Sequence, residues 1–246
     1  MLTLPLYLVD AFTPRPFAGN PAGVCLLDRA REASWMQSVA AEMNQAETAF
    51  LESRDGEWGL RWFTPSVEVD LCGHATLASA HVLWECGRSQ ESTLRFHTRS
   101  GVLSARRVDG SGGSPRIELD FPALHRAEVT PPAGLMPVLG IDRAAWIGGN
   151  KMDYFVELDS AAELRALRPD HTKLRASTRE VRGVIVTAKS DAAEFDFISR
   201  FFAPGSGIDE DPVTGSAHCA LAPYWSAKLG KTTMTGYQDS PRGGVV

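Results

Sequence analysis

Gly73 and Gly215 stand 142 positions apart at matching places in one repeated pattern. The first copy reads Trp62-Phe63-Thr64-Pro65, an acidic run, then Gly73-His74-Ala75-Thr76-Leu77-Ala78-Ser79-Ala80. The second reads Phe201-Phe202-Ala203-Pro204, another acidic run, then Gly215-Ser216-Ala217-His218-Cys219-Ala220-Leu221-Ala222. With the glycines aligned, Ala75, Ala78 and Ala80 fall on Ala217, Ala220 and Ala222. Only the connecting loop differs: Pro65 to Gly73 spans 8 residues and Pro204 to Gly215 spans 11. Two loop–glycine–helix units in 246 residues constrain the chain to a duplicated domain with a cleft between the halves. Each unit aims the free N–H groups and positive dipole end of a helix at something negative.

The two helices have an unusual composition. Residues 74–84 place Ala75, Leu77, Ala78, Ala80, Val82, Leu83 and Trp84 around the whole circumference, the mark of an enclosed helix. The second copy behaves likewise until Pro223, which is expected to kink or break it about two turns in. Leu229-Gly230 reads as its end.

Elsewhere, apolar alternation or short apolar runs predict strands at 6–12, 23–27, 46–51, 58–63, 94–98, 102–107 and 116–120, with a helix over 33–43. Further strands fit 153–158, 181–187 and 195–202, with a helix near 160–168. Residues 108–115 read as a flexible turn, and Pro131-Pro132-Ala133-Gly134 as interdomain linker. The architecture is therefore α+β: two pseudo-symmetric domains, 1–125 and 126–246, each a curled, mostly antiparallel sheet around a central helix.

A net charge of −5 argues against nucleic acid or an anionic membrane as the main partner. No apolar run approaches the ~18 residues of a membrane helix, and the first residues read as a strand rather than a signal peptide. Cys25, Cys72, Cys86 and Cys219 lack CxxC spacing, as expected of reduced thiols in a cytoplasmic protein. His74 and His81, seven apart, have no HExxH or CxxC partner, and Gly110-Ser111-Gly112-Gly113 lacks the Lys-Ser/Thr of a phosphate loop. Neither metal nor cofactor is expected.

Several stretches match a known family in order: Val9-Asp10-Ala11-Phe12, Phe17-Ala18-Gly19-Asn20-Pro21-Ala22-Gly23-Val24, Asn44-Gln45-Ala46-Glu47-Thr48-Ala49-Phe50 and Leu71-Cys72-Gly73-His74-Ala75-Thr76. In the second half they are Arg200-Phe201-Phe202-Ala203-Pro204 and Glu210-Asp211-Pro212-Val213-Thr214-Gly215-Ser216-Ala217-His218. The chain resembles the phenazine-biosynthesis PhzF-like isomerases, which share the two-domain fold of diaminopimelate epimerase. The resemblance implies a homodimeric, cofactor-independent isomerase acting on a small carboxylate-bearing substrate. The family usually continues past a segment like Gln238–Gly244, so the second domain is expected to be shortened, with Val245 and Val246 starting a strand.

Glu47 lies among Ala46, Thr48, Ala49, Phe50 and Leu51, where a carboxylate either caps a turn or is desolvated toward the pKa of a general base. The resemblance makes it the proton shuttle. His74 follows Gly73, where the helix dipole favours neutral imidazole; the resemblance places it in the proton relay. Asp211 reads as part of an acidic surface turn, and Asp209 is expected to be only that. The resemblance makes Asp211 the second carboxylate, facing Glu47 across the cleft, each shifting the other's pKa. Ser216 and the backbone N–H groups after Gly73 and Gly215 are expected to bind a substrate carboxylate. Asn20 joins them through the matching segment, and Thr214 is a helper. Related epimerases use two thiols, one before each helix. Cys72 is placed as one of them, but Asp211-Pro212-Val213-Thr214 offers no second, and Cys219 lies a turn inside the helix. Cys72 is accordingly read as a packing residue. The alternatives left open are an amino-acid racemase or epimerase and a non-catalytic binder of small acids.

Overall fold

The computed structural model describes residues 3–110, 115–125, 127 and 129–246. The chain forms two compact units, Met1–Ala11 with Pro21–Phe121, and Phe12–Asn20 with Pro122–Val246. The change at 121/122 precedes both the expected 125/126 boundary and the Pro131–Gly134 segment, which leads into a helix of the second unit. The tip of the expected 108–115 turn, residues 111–114, lies outside the described residues.

The first unit runs β1 (Leu6–Ala11), β2 (Asn20–Leu27), α1 (Ala33–Met43), β3 (Glu47–Arg54), β4 (Glu57–Phe63), β5 (Glu68–Val69), α2 (Gly73–Glu85), β6 (Thr93–Thr98), β7 (Gly101–Asp109) and β8 (Pro115–Leu119). Its sheet has the order β1-β2-β3-β4-β6-β7-β8, with β5 beside β4. The β2–β3 and β4–β6 pairs are parallel, and the β3–β4, β6–β7 and β7–β8 pairs antiparallel. Helix α2 packs against both β1 and β8, the two ends of that order. Six strand spacings in a flat sheet would separate those ends by roughly 29 Å, well beyond the ~10 Å width of a helix. The sheet must therefore curl around α2. Alanines at 75, 78 and 80, all buried, leave room for the strands to close in.

Period-2 patterning gives β3 two buried faces. Ala49 and Leu51 join the core around α2, whereas Phe50 points to Met36 and Ala40 of α1 on the other side. Helix α1 ends at Asn44 in the left-handed conformation (φ 48°, ψ 38°), which turns the chain into β3. Glu47 is thereby the first residue of a strand.

The second unit contains α3 (Leu135–Leu139), β9 (Trp146–Gly149), β10 (Asp153–Glu157), α4 (Ala161–Ala166), α5 (His171–Ser177), β11 (Gly183–Lys189), β12 (Phe197–Ala203), β13 (Ile208–Asp211), α6 (Gly215–Leu229), β14 (Gly236–Gln238) and β15 (Gly244–Val245). Its sheet has the order β15-β14-β12-β11-β10-β9, with β13 on β12. Every residue of β12 is buried, again by alternation. Phe197, Phe201 and Ala203 pack with α6, and Ile198 and Phe202 with the layer of α3, α4 and α5.

The repeat is structural as well as sequential. In each unit a strand is followed by a short returning strand in the acidic loop and then by the buried helix. Each copy carries a bidentate arginine–glutamate pair from strand to returning strand. Arg61 meets Glu68 at 2.7 and 2.8 Å, and Arg200 meets Glu210 at 2.7 and 2.8 Å.

Of the kink or break expected at Pro223, the break does not occur. Helix α6 continues through Pro223 to Leu229 and caps at Gly230 in the left-handed conformation (φ 65°). Proline removes the N–H that would bond the carbonyl of Cys219 four residues earlier, and the Leu124 N–H takes that carbonyl instead at 2.9 Å. The break is avoided because the orphaned acceptor has another donor. The strand expected at Val245 is paired: Val245 N–H bonds the Phe12 carbonyl at 3.0 Å, and Val246 and Gly236 exchange bonds of 2.8 and 3.0 Å. Arg242 adds bonds to the Gly19 and Ala18 carbonyls. These contacts tie segment 12–20 to the second unit. No helix among the described residues is long and apolar enough to cross a membrane.

Candidate active site

The residues expected to act together fall into two groups, one in each unit. The first holds Glu47, Gly73 and His74; the second holds Asn20, Asp211, Gly215 and Ser216.

In the first group, Cys72 is the N-cap of α2, extended (φ −146°, ψ 115°) and making no side-chain capping bond. Its sulfur lies 3.4 Å from His74 Nδ1. His74, on the first turn of the same helix, brings Nε2 to 3.3 Å from Glu47 Oε2. That approach lacks hydrogen-bond alignment, so Nε2 is buried without a bonded partner among the described residues. Catalytic contacts often stay loose until substrate binds. Burial holds the His74 imidazole down at about 4, so it is neutral near pH 7. The direction agrees with expectation, but the cause is desolvation rather than the helix terminus. A neutral ring has one N–H and one lone pair. With the N–H on Nε2, His74 serves the Glu47 carboxylate, and Nδ1 can accept from the Cys72 thiol. Cys72 therefore does more than pack: it touches the imidazole that touches Glu47.

In the second group, Asn20 is fully buried and its Nδ2 donates to Asp211 Oδ1 at 2.9 Å and to the Val213 carbonyl at 2.8 Å. The Thr214 hydroxyl donates to the other Asp211 oxygen. Gln238 Nε2 donates to the Asp211 carbonyl at 2.7 Å, and its Oε1 accepts from Thr214 N–H at 2.8 Å. Burial pushes the Asp211 carboxyl up to about 6, against the opposing pull of Thr214, Asn20 and Arg182. Burial is the main cause of that shift, in place of the expected mutual effect of two catalytic carboxylates, and the neighbour that adds to it is Glu210. Asp209 is exposed, as expected.

Ser216 sits on the first turn of α6, where its hydroxyl accepts from Arg182 Nη1 at 2.8 Å. Arg182 is fixed by the fully buried Asp153, whose oxygens accept from Nε at 3.0 Å and Nη2 at 2.6 Å. The guanidinium also lies 5.0 Å over the Phe201 ring. A positive charge is thus held at the first turn of α6 beside Ser216, where it adds to the helix dipole. His218 Nδ1 lies 2.8 Å from the Thr214 carbonyl, and burial keeps this ring neutral as well, down at about 4. Sequence reading missed Arg182, Asp153 and Gln238, which lie in no motif and meet their partners across 24 to 34 residues. A buried acid on a strand was the one signal available for Asp153.

Register shows how far the halves have diverged. Thr48 pairs with Phe63 on β4, and Val184 pairs with Phe202 on β12. Because Phe63 and Phe202 are equivalent in the repeat, Glu47 corresponds to Gly183, and His74 corresponds to Ser216. A Cβ on Gly183 would lie 2.4 Å from the Phe202 carbonyl oxygen, so any side chain there forces the paired backbone to shift.

The chain matches the model of the phenazine biosynthesis-like protein family over residues 9–246. It is 50% identical to an uncharacterized isomerase of Halalkalibacterium halodurans, across 100% of this chain and 91% of that protein. A crystal structure of a PhzF-family phenazine biosynthesis protein from Enterococcus faecalis superposes with a TM-score of 0.91 at 40% identity, covering 99% of this chain and 90% of that one. A probable proline racemase from Agrobacterium radiobacter, 12% identical with a TM-score of 0.63 over 99% of this chain and 83% of that one, shares the fold. The chain belongs to the phenazine biosynthesis-like family, and it is an isomerase.

Proposed function

We propose that the protein moves a proton within a small carboxylate-bearing substrate, cyclic or unsaturated, with Glu47 as the general acid and base and no cofactor taking part. The observation that carries this reading is the approach of a buried, neutral imidazole to the Glu47 carboxylate. Glu47 takes a proton from a carbon activated by its neighbouring groups and returns it at another position of the same molecule. His74, neutral throughout, donates Nε2–H to the carboxylate while it is anionic, and the donation weakens once Glu47 holds the proton. The second group supplies recognition and a second titrating carboxyl. The first turn of α6, Ser216 and Arg182 receive the substrate carboxylate, and Asp211, poised at about 6, exchanges a proton near neutrality. Two-thiol racemase chemistry is disfavoured, because Thr214 stands at the helix cap where Cys72 stands in the first unit. Cys219 is one turn inside α6, against the Gly215 carbonyl.

The test is hydrogen–deuterium exchange into a panel of small cyclic amino, hydroxy and unsaturated acids in D₂O, wild type beside Glu47→Gln. Wild type should label at least one of them, and Glu47→Gln should be slower by roughly 10²–10⁴-fold, the usual contribution of a general base. Equal labelling by both proteins would sink the assignment.

A further inference from the structure

Among the described residues one set of three side chains can converge on a single ion: Glu47, Cys72 and His74, whose ligating atoms all lie within 4.8 Å of one another. The donor types are a carboxylate oxygen, a thiol sulfur and an imidazole nitrogen, and zinc commonly takes all three. Through either ring nitrogen one separation is already that of a tetrahedral site, and the rest lie within 4.8 Å. Zinc bonds of about 2.3 Å to sulfur and 2.0–2.2 Å to nitrogen and oxygen place neighbouring ligands roughly 3.3–3.6 Å apart. The sulfur-to-Nδ1 distance is 3.4 Å and the Nε2-to-carboxylate distance 3.3 Å. Since one ion takes one ring nitrogen, only one of these two distances is an edge of the site; the other two edges, each within 4.8 Å, close by side-chain rotations of about an ångström. A second observation points to a ligand there: His74 Nε2 is buried without a hydrogen bond among the described residues.

We propose that Cys72, His74 and Glu47 form a site for a single thiophilic divalent cation, zinc in particular, with a fourth position left to water or a carboxylate. Cys72 binds as the thiolate, releasing its proton to solvent. His74 binds through a lone pair, and the Glu47 carboxylate completes the set. The ion acts as an inhibitor. A carboxylate bound to zinc is far less basic and is held toward the metal, so metal binding suppresses proton transfer. That last clause rests on the assignment of Glu47 to proton transfer; the site itself does not.

The experiment is a titration of metal-free protein with cobalt(II) chloride, followed by absorption. One equivalent should produce a thiolate-to-cobalt charge-transfer band together with the visible bands of four-coordinate cobalt, and zinc sulfate should bleach both. Cys72→Ser should abolish the charge-transfer band. Glu47→Gln should keep the band and weaken cobalt binding by roughly tenfold or more, since even outer contacts to a metal are worth that much. Cys86→Ser, an exposed cysteine elsewhere, should change nothing. No band at millimolar cobalt, a band that survives Cys72→Ser, or one lost in Cys86→Ser would overturn the site. In the deuterium assay zinc should halve the rate at the concentration that half-fills the site. Stoichiometric cobalt and zinc binding with undiminished exchange would uphold the site and refute the role of Glu47.

Discussion

Replacing Asp211 with asparagine isolates the cost of holding a charge in the second group. Asp211 titrates at about 6 because burial disfavours its anion, whereas an aspartate in the unfolded chain titrates near 3.9. A raised folded-state pKa means that the native protein binds the proton more tightly than the unfolded chain. The carboxyl therefore weighs least on stability below pH 4, and the loss grows as pH rises until it is complete above 6. About two pKa units at 1.36 kcal/mol each give a penalty of up to ~3 kcal/mol above pH 7, of which about 2 kcal/mol accrues between pH 4.5 and 8. Asparagine keeps the bond from Asn20 and reverses the other: its amide donates to the Thr214 hydroxyl, which also accepts from Gln238, and the displaced Thr214 O–H adds a cost that does not vary with pH. Urea denaturation of both proteins across that range should show Asp211→Asn gaining about 2 kcal/mol on wild type from acid to alkaline pH, with unchanged m-value. The same substitution should lower the isomerase rate. A stability difference that stays flat with pH, or grows toward acid, would refute the burial argument.

Arg182→Gln should destabilise the fold by about 3 kcal/mol by leaving Asp153 buried without its cation, and the double variant with Asp153→Asn should recover most of it in the same denaturation assay. In steady-state kinetics, Arg182→Gln should raise KM for carboxylate substrates more than it lowers kcat. His74 titrates at about 4, so rate profiles between pH 5 and 8 should keep the same inflection near 6 when His74 becomes asparagine, at a lower plateau. Cys72→Ala should slow exchange far less than Glu47→Gln; the reverse ranking, read from the labelling rates, would restore thiol chemistry.

How much of this was legible depends on the length over which a signal repeats. The α1 helix could be bounded at 33–43 because Trp35, Met36, Val39, Ala40 and Met43 keep one face over three turns. The strands β3 and β12 announced themselves as short apolar runs, the mark of strands buried on both faces. The short returning strands β5 and β13 did not, since two and four residues hold too little periodicity to separate strand from acidic loop. Pro223 misled because local rules see the missing donor and cannot see Leu124 arriving from 95 positions earlier to bond Cys219. Among the candidate residues, Glu47, His74 and Asp211 were singled out through a resemblance carried by stretches contiguous in sequence. Arg182 was invisible because its role comes from Asp153 and Ser216, on a different strand and a helix. Cys72 was visible, but its meaning was not: the thiol was weighed against a second thiol, while its partner in space is an imidazole two residues on.

The glycine opposite Glu47 in the duplicated plan makes the two halves unequal. With the Phe202 carbonyl 2.4 Å from where a Cβ of residue 183 would stand, the second half has no room for an acid at that position without a backbone shift. Gly183→Ala should already cost about 1–3 kcal/mol in overpacking, and a glutamate would cost more. On the proposed assignment of Glu47, substitutions at Arg182, Ser216 and their supports would change what the second half binds without placing a rival base at residue 183, so specificity and proton transfer could be varied separately.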